Sequence, residues 1–415
     1  MGLPKNTYDV IVVGGGASGM MAAITAAKRG KRVLLIEKNK HLGEKLRISG
    51  GGRCNILNAE EDTRKLLSNF GEADKFLFSP FSQFGMKESR EFFESNGLPI
   101  MVEENNRAFP VSEKAEDVCA FFEEQLRIHK VEVRKKLEVI ELVKRSGRIT
   151  RVRAGDQEFA AESIILATGG ISHPETGSTG EGFKWLEDLG HEVYEPKPTI
   201  VPLKVLEKWI RNLSGNSLPD AKITFALGKE NKFSKRGRIL FTHFGLSGPT
   251  ILNSAGAVQD LLHEGIVNAY IDLFPDLNLG EVDELVQKVF EENKNKNVRN
   301  VFKGILPPGT ADVLATRFPK IDEEMKVHSV TKEQRKGIVE FLKKVPLVIS
   351  GLMDAERAVV ADGGVPLTEV DMKTMRSTVI KNLFITGDLF NITRPTGGYS
   401  LQLCWTTGYV AGMNA

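Results

Sequence analysis

Apolar residues stand in unbroken blocks at 10–13 and 33–36. Each block is rich in valine, isoleucine or leucine and too short for a helix, the pattern of strands buried on both faces of a parallel sheet. Between them, residues 17–29 are small or apolar with few charges, which predicts a helix packed closely on that sheet and ended at Gly30. Similar blocks recur at 164–166, running into Ala167-Thr168-Gly169-Gly170, and at 383–385, running into Thr386-Gly387-Asp388. Residues 115–129 repeat apolar positions at helical spacing, with Val118, Phe121, Phe122 and Leu126 on one face. Residues 131–153 alternate like paired strands around Ser146-Gly147. Seven phenylalanines between 70 and 93 mark the core of a small helical excursion.

The pattern changes at Pro196-Lys197-Pro198. From 200 to 272, short strands at 222–227, 238–241 and 267–273 alternate with turns, which predicts a small barrel or sandwich. Residues 279–344 are helical and highly charged, and 345–364 return to strands. The expected organisation is α/β and discontinuous. A first nucleotide-binding part occupies 1–195 and a last one 370–415. Between them lie a β-rich, barrel-like insert at 196–278, a helical subdomain at 279–344 and the return strands of the insert at 345–369.

Gly14-Gly15-Gly16-Ala17-Ser18-Gly19 joins the first strand to the helix and reads G-x-G-x-x-G: a tight turn, close backbone approach to a pyrophosphate, and close helix packing. Glu37 ends the second strand about 20 residues on, where a carboxylate accepts both hydroxyls of an adenosine ribose and repels a 2′-phosphate. Lys38 follows it. Strand, glycines, helix, strand and acid in one register predict a dinucleotide site. The stretch 43–55, GEKLRISGGGRCN, carries Lys45, Ser49, Gly51, Gly52, Arg53, Cys54 and Asn55. Consecutive glycines beside cations do not make a regular element. They offer bare N–H groups and positive charge to a pyrophosphate or to the edge of a flavin ring.

Composition narrows this further. A chain of 415 residues, 41% hydrophobic, has ample apolar content for more than one core. Its net charge of +2 gives no overall field for nucleic acid. Three cysteines without CxxC or zinc spacing read as reduced thiols, with no redox disulfide relay and no metal site expected. The first strand begins too early for a signal peptide, and no apolar run approaches the ~20 residues of a membrane helix, so a cytoplasmic protein is expected. No second G-x-G-x-x-G follows a strand, so no separate NAD(P)H domain is expected either.

SGGGRCN at this distance from an N-terminal GGGASG resembles the bacterial flavoprotein family labelled NAD(FAD)-utilising dehydrogenases, which includes proteins called aminoacetone oxidases and a bile-acid enone reductase. More remotely, the chain is similar to the flavoprotein subunits of fumarate reductase and succinate dehydrogenase. The resemblance runs through nearly the whole chain. It implies an FAD-binding Rossmann-like domain of the two-dinucleotide-fold type, one non-covalent FAD, and NAD(P)H as a diffusible donor. It also implies roles for particular residues. The Val139 backbone would touch the adenine edge, and Thr168, Gly169 and Gly170 would pack over the FAD. Gly387 and Asp388 would meet ribityl or pyrophosphate-side hydroxyls. Gly398, Ser400 and Leu401 would open a helix whose N-terminus faces the flavin N1–C2=O edge. Residues 177–182, GSTGEG, look like a flavin-buttressing TGDG segment, and Thr179 as an N-cap fits the same stretch. Residues 242–249 match the family's THxGxSGP. Departures fall at Asn391 and Arg394, where an acidic residue and a glycine are usual, and at Ser400, where asparagine is usual.

The expected activity is hydride transfer between flavin N5 and a small organic substrate, with reduction of an activated C=C bond favoured by the resemblance. His243, Arg394 and Tyr399 are the catalytic candidates: His243 for acid–base work or substrate recognition, Arg394 to clamp a carboxylate or carbonyl oxygen, Tyr399 to donate a proton or line the wall. One alternative is an amine or aminoketone oxidase that uses O₂. Another is an RNA-associated flavoprotein, motivated by the basic stretch at 294–303. The oligomeric state is not legible.

Overall fold

The computed structural model describes residues 6–353 and 361–415. They form two compact units, residues 6–198 with 361–415 and residues 199–353.

The first unit is built on a nine-stranded sheet. Its parallel centre runs Glu132–Arg134, Val33–Ile36, Thr7–Val13, Gln157–Leu166, Leu383–Ile385. Val10, Ile11, Val12, Leu34, Leu35, Ile165 and Leu383 are wholly buried, as continuous apolar blocks require of strands covered on both faces. Two short antiparallel strands, Val370–Asp371 and Arg376–Ser377, extend one side. The hairpin Val139–Arg145 and Arg148–Ala154 turns at Ser146 and Gly147, both at positive φ, and joins Gln157–Leu166 antiparallel. Gln157–Leu166 thus serves three pairings: the hairpin antiparallel at its start, and Thr7–Val13 and Leu383–Ile385 parallel further on.

Two helices cover the glycine-rich end of this sheet. Ala17–Lys28 begins at Gly16, and Tyr399–Asn414 ends the chain. They pack directly on each other, with Gly408 against Ser18 and Gly412 against Ala22. The phenylalanine-rich stretch forms helices Thr63–Leu67, Asp74–Gln83 and Met86–Ser95. Phe70, Phe81, Phe84 and Phe93 join the core, whereas Phe78 is half exposed. Trp405 of the final helix stacks on Phe122 at 5.0 Å and donates its indole N–H to Ile56 O at 2.8 Å, so the burial of a large ring leaves no polar atom behind.

The second unit is a closed antiparallel barrel of Leu203–Val205, Gly245–Ser247, Glu230–Phe241, Ser217–Leu227, Val267–Asp272 and Val345–Leu352. Ile223, Phe225, Ile239, Ala269, Ile271, Leu347 and Ile349 fill it. The central strands are longer than the apolar spacing predicts, because their exposed positions carry lysine, arginine and serine that hide the pattern. Helices Leu279–Glu292 and Lys332–Lys343 open with capping boxes, Asn278 with Glu281 and Thr331 with Gln334. The return strands divide. Val345–Leu352 completes the barrel, residues 354–360 lie outside the described residues, and Ala361–Gly364 pairs with Tyr194–Pro198 in the first unit.

Candidate active site

The first strand, its glycine turn and the helix after it make a site for an anion. A Cβ on Gly14 would collide with Ala167 O, and one on Gly19 with Gly14 O, so only glycines let strand, turn and helix close this tightly. A Cβ on Gly16 meets nothing within 4 Å, so this face of the turn is open. The helix begins with no side-chain cap and no acid in its first turn, leaving the N–H groups over Ala17 and Ser18 for a ligand. Glu37 is buried. Its Oε2 accepts from Gly15 N at 2.7 Å and its Oε1 from Asn39 N at 2.7 Å, which fixes both oxygens and leaves each a lone pair. Leu137 N donates to Glu37 O and Lys136 N to Asn39 O, which ties the segment just before Val139 to the end of the second strand.

Lys38 turns from this pocket. Its ammonium bonds Thr179 Oγ1 at 2.7 Å and pairs with Glu181. Thr179 is therefore not the helix cap: helix Glu181–Leu189 starts from Gly180 at φ 85 with no side-chain cap. The Thr179 hydroxyl is spent on Lys38, a partner distant in sequence.

In the loop 49–55, Gly50, Gly51 and Gly52 all lie at positive φ, and added Cβ atoms on Gly51 and Gly52 would meet open space. Ser49 Oγ donates to Leu46 O. Arg53 does not offer a free cation. It pairs with Glu103 and Glu113 and lies over the Phe109 ring at 4.1 Å. Cys54 is wholly buried, and burial pushes its thiol up to about 12. The Asn55 amide, oriented by its neighbours, donates to Leu57 O and Ala108 O and accepts from Gly398 N at 3.1 Å. It ties this loop to the N-terminus of the final helix.

Around that N-terminus the remaining motif residues converge. Ser18 Oγ accepts from Thr386 Oγ1 at 3.1 Å, and Gly387 N donates to Thr407 Oγ1. Gly170 packs on Asp388, and Gly169 faces Ser178 and the Lys45 ammonium. Thr168 Oγ1 is buried without a partner. The final helix starts at Gly398, φ 95, with no side-chain cap and no acid in its first turn. Leu401 is half-buried against the core.

The catalytic candidates are placed unequally. Arg394 is redirected from the expected substrate clamp. Its side chain has no exposed surface, and Nε bonds Ser400 Oγ at 3.2 Å, Nη1 bonds Ile392 O at 2.7 Å and Nη2 pairs with Asp388. A buried guanidinium needs such partners, and here all three nitrogens find them inside the chain. Arg394 and Lys45 together hold the Asp388 carboxyl below its ordinary value against the opposing effect of burial. Tyr399 is half-buried, edge-on to Phe70 at 5.8 Å, with its phenol pushed up mainly by burial. His243 belongs to the second unit, exposed and edge-to-face with Phe244 at 4.9 Å. Ser172, which accepts from Lys45 Nζ at 3.1 Å, is a site residue that sequence reasoning missed. Its only signal is its place two residues beyond the glycines at 169–170.

A parallel sheet with an open glycine turn, a buried acid fixed at the end of the second strand and two uncapped helix N-termini are the features of a dinucleotide-binding protein. The particular family follows from comparison. The chain belongs to the family described as HI0933-like protein Rossmann domain, whose model matches residues 8–414, and it is an FAD-dependent oxidoreductase of that family. It is 30% identical over 407 residues, 97% of this chain and 98% of the relative, to the 3-dehydro-bile acid delta(4,6)-reductase of Clostridium scindens. It is 27% identical over 409 residues, 97% of each, to the ribosomal RNA dihydrouridine synthase of Haemophilus influenzae. The solved structure of 3-ketosteroid delta1-dehydrogenase from Sterolibacterium denitrificans shares the fold with a TM-score of 0.57 at 15% identity, covering 98% of this chain and 99% of that one.

The residues present fit FAD. The open turn at Gly16, the bare N–H groups of the first helix, both Glu37 oxygens and the uncapped Gly398 helix are the donor and acceptor set that a ribose, a pyrophosphate and an electron-poor ring require.

Proposed function

We propose that this protein reduces a C=C bond conjugated to a carbonyl on a small organic substrate, using non-covalent FAD and NAD(P)H as the diffusible donor. The observation that carries the reading is the pair of uncapped helix N-termini in one unit with the fixed Glu37 carboxylate. Relatives at 30% and 27% identity support the reaction class: one is named a reductase and the other makes dihydrouridine, and adding two hydrogens to an unsaturated bond serves both.

Bound FAD would supply hydride transfer at its N5; the chain supplies binding, orientation and charge. Gly14, Gly16, Ala17, Ser18 and Gly19 would hold the pyrophosphate. Glu37 would accept from the adenosine ribose, and Val139 would flank the adenine. Ser49, Gly51 and Gly52 would line the ring side with Thr168, Gly169, Gly170 and the Gly398 turn, and Gly387 and Asp388 would meet ribityl or pyrophosphate-side hydroxyls. Arg394, Ser400 and Asn55 would act as positioning residues, because their polar atoms are spent on Asp388, Arg394 and Gly398. Lys38 and Arg53 would brace the surrounding loops. Tyr399 would line the substrate wall.

The test is anaerobic reduction of the purified yellow protein with NADH and NADPH, then reoxidation by cyclic enones. Colourless protein that takes up no FAD, or a reduced flavin that no conjugated alkene reoxidises, would overturn the reading. A second reading, a uridine within RNA as the alkene, is favoured by the dihydrouridine synthase relative. The basic stretch at 294–303 adds less than its sequence suggests, since Arg299 and Lys303 both pair with Asp312. RNA from cells lacking the gene, compared with wild type for dihydrouridine by mass spectrometry, decides between them.

A further inference from the structure

Lys45 stands where its own glycine-containing segment meets two others, 169–172 and 387–394. Its ammonium bonds Ser172 Oγ at 3.1 Å, lies 3.9 Å from Asp388 Oδ2, and is 3.9 Å from where a Cβ on Gly169 would sit. Asp388 and Arg394 come from the segment that leads into the final helix.

The charges around it do not balance. Asp388 is already in contact with Arg394, so one carboxylate faces two cations. Glu175 attracts from further off, but it is mostly exposed and engaged with His173. The neighbouring Cys404 thiol is pushed up to about 12 by burial and stays neutral, so it adds no compensating charge. The two cations also differ in what they can still bind. Arg394 has no exposed surface, and every nitrogen has a partner. Lys45 makes one hydrogen bond with three donors available, and 29% of its side chain remains accessible.

We propose that Lys45 is a catalytic residue: its ammonium, braced by Ser172 and Asp388, is the cation that takes up the negative charge left on the cofactor ring by reduction. The inference rests on the FAD reading above. FAD, when bound, would supply hydride chemistry, which delivers two electrons with one proton, so a cation held beside the cofactor would favour its reduced form. A fixed cation in a poorly hydrated cleft stabilises negative charge without reorganising. Burial draws the Lys45 pKa downward, chiefly by desolvation, with Asp388 opposing and Arg394 assisting; a nearby anion would restore it. Arg394 then serves Lys45 indirectly, holding Asp388 in place. The expected substrate clamp at Arg394 is replaced by a cofactor-facing cation at Lys45.

The test is the midpoint potential of the flavin across pH 6–9 in holoprotein carrying Lys45→Met or Lys45→Arg. Loss of the charge should weaken the reduced cofactor relative to the oxidised one by about tenfold, a fall of about 30 mV for a two-electron couple. Lys45→Arg should return most of it. A Lys45→Met protein that holds FAD with the wild-type potential at every pH would overturn the assignment, as would an Arg variant no closer to wild type than Met. If Lys45→Met does not fold, Lys45→Gln removes the charge at similar length and polarity, and the same results decide. Wild-type protein that binds no FAD fails the cofactor reading; a yellow wild type with an unresponsive Lys45→Met fails only this inference.

Discussion

At the scale of single residues, Glu37 joins sequence signal and observed role most directly. Its spacing from the glycines announces a ribose acceptor, and its two oxygens are held by Gly15 and Asn39 with lone pairs to spare. Glu37→Gln keeps the size but turns one acceptor into a donor. It should weaken FAD by about 1.5–3 kcal/mol, the range for hydrogen bonds to a charged group. Titration of apoprotein with FAD reads this directly, and unchanged affinity would place the ribose elsewhere. Cys54 lies in a glycine-rich motif with no CxxC partner, where a packing role is expected rather than a redox one. The side chain is buried and burial pushes its thiol up to about 12, so the thiolate fraction at pH 8 is on the order of 10⁻⁴. Native protein should resist iodoacetamide at Cys54 while denatured protein reacts, and Cys54→Ala should stay yellow; rapid labelling of the native thiol would reverse this assignment. What the sequence could not show at this scale is partner choice. Arg53, Asn55 and Arg394 are all polar motif residues, and each bonds a group distant in the sequence or folded back from the same loop. Residue type tells what a side chain can bind, and only the chain path tells what it meets.

At the scale of elements, the buried strands and the long helices were legible because periodicity and burial are the same fact seen twice. Residues 10–13 and 33–36 read as strands since both faces are covered, and 115–129 as a helix since one face is. Thr179 was misread as a cap because local capping chemistry does not reveal the competing Lys38. The contact between the first and final helices was equally hidden, although its means are plain in the structure. A Cβ on Gly408 would strike Ser18 O, and one on Gly412 would crowd Ala22 O, backbone that cannot give way. Gly408→Ala should destabilise the protein by about 1–3 kcal/mol through overpacking. It should also weaken FAD, since Ser18 carries the Thr386 bond beside the glycine turn. Gly256 in helix Ala255–Glu264 is the contrasting site, with nothing within 4 Å of an added Cβ. There alanine should stabilise by up to about 1 kcal/mol. Thermal melts of both variants test the pair, and equal melting points would show that the helix contact yields.

At the scale of the whole molecule, the sequence announced an interrupted α/β fold but left barrel or sandwich open. Closure depends on Leu203–Val205 pairing with Val345–Leu352, segments too far apart for any local pattern to link. Another long-range tie was wholly unannounced, and it makes stability depend on pH. His191 precedes the strand Tyr194–Pro198, while Glu369 and Ser377 follow the strand Ala361–Gly364 that pairs with it. The imidazole is completely enclosed, with Nδ1 2.7 Å from Glu369 Oε2 and Nε2 2.8 Å from Ser377 Oγ. Ser377 Oγ already accepts from Val379 N and Ile380 N, so its own proton goes to Nε2 and the histidine is neutral with Nδ1–H donating to Glu369. Protonation would set a second donor against a hydroxyl with no acceptor left. Desolvation accordingly lowers the His191 pKa from 6.5, aided by Lys144 and opposed by Glu369. A histidine held below its unfolded value binds more protons when the chain unfolds. Its contribution is complete above about pH 6.5 and is lost as pH falls from there through the folded value, each unit of depression amounting to about 1.4 kcal/mol at the acid limit. Wild-type melting temperature should therefore fall between pH 7.5 and 5.5 by more than that of His191→Gln, which cannot titrate. Ser377→Ala, which removes the hydroxyl that the neutral ring accepts from, should flatten the same slope in part. Parallel pH profiles for wild type and His191→Gln would mean that the buried imidazole takes its proton at no cost, and that this tie contributes nothing to the pH dependence of the fold.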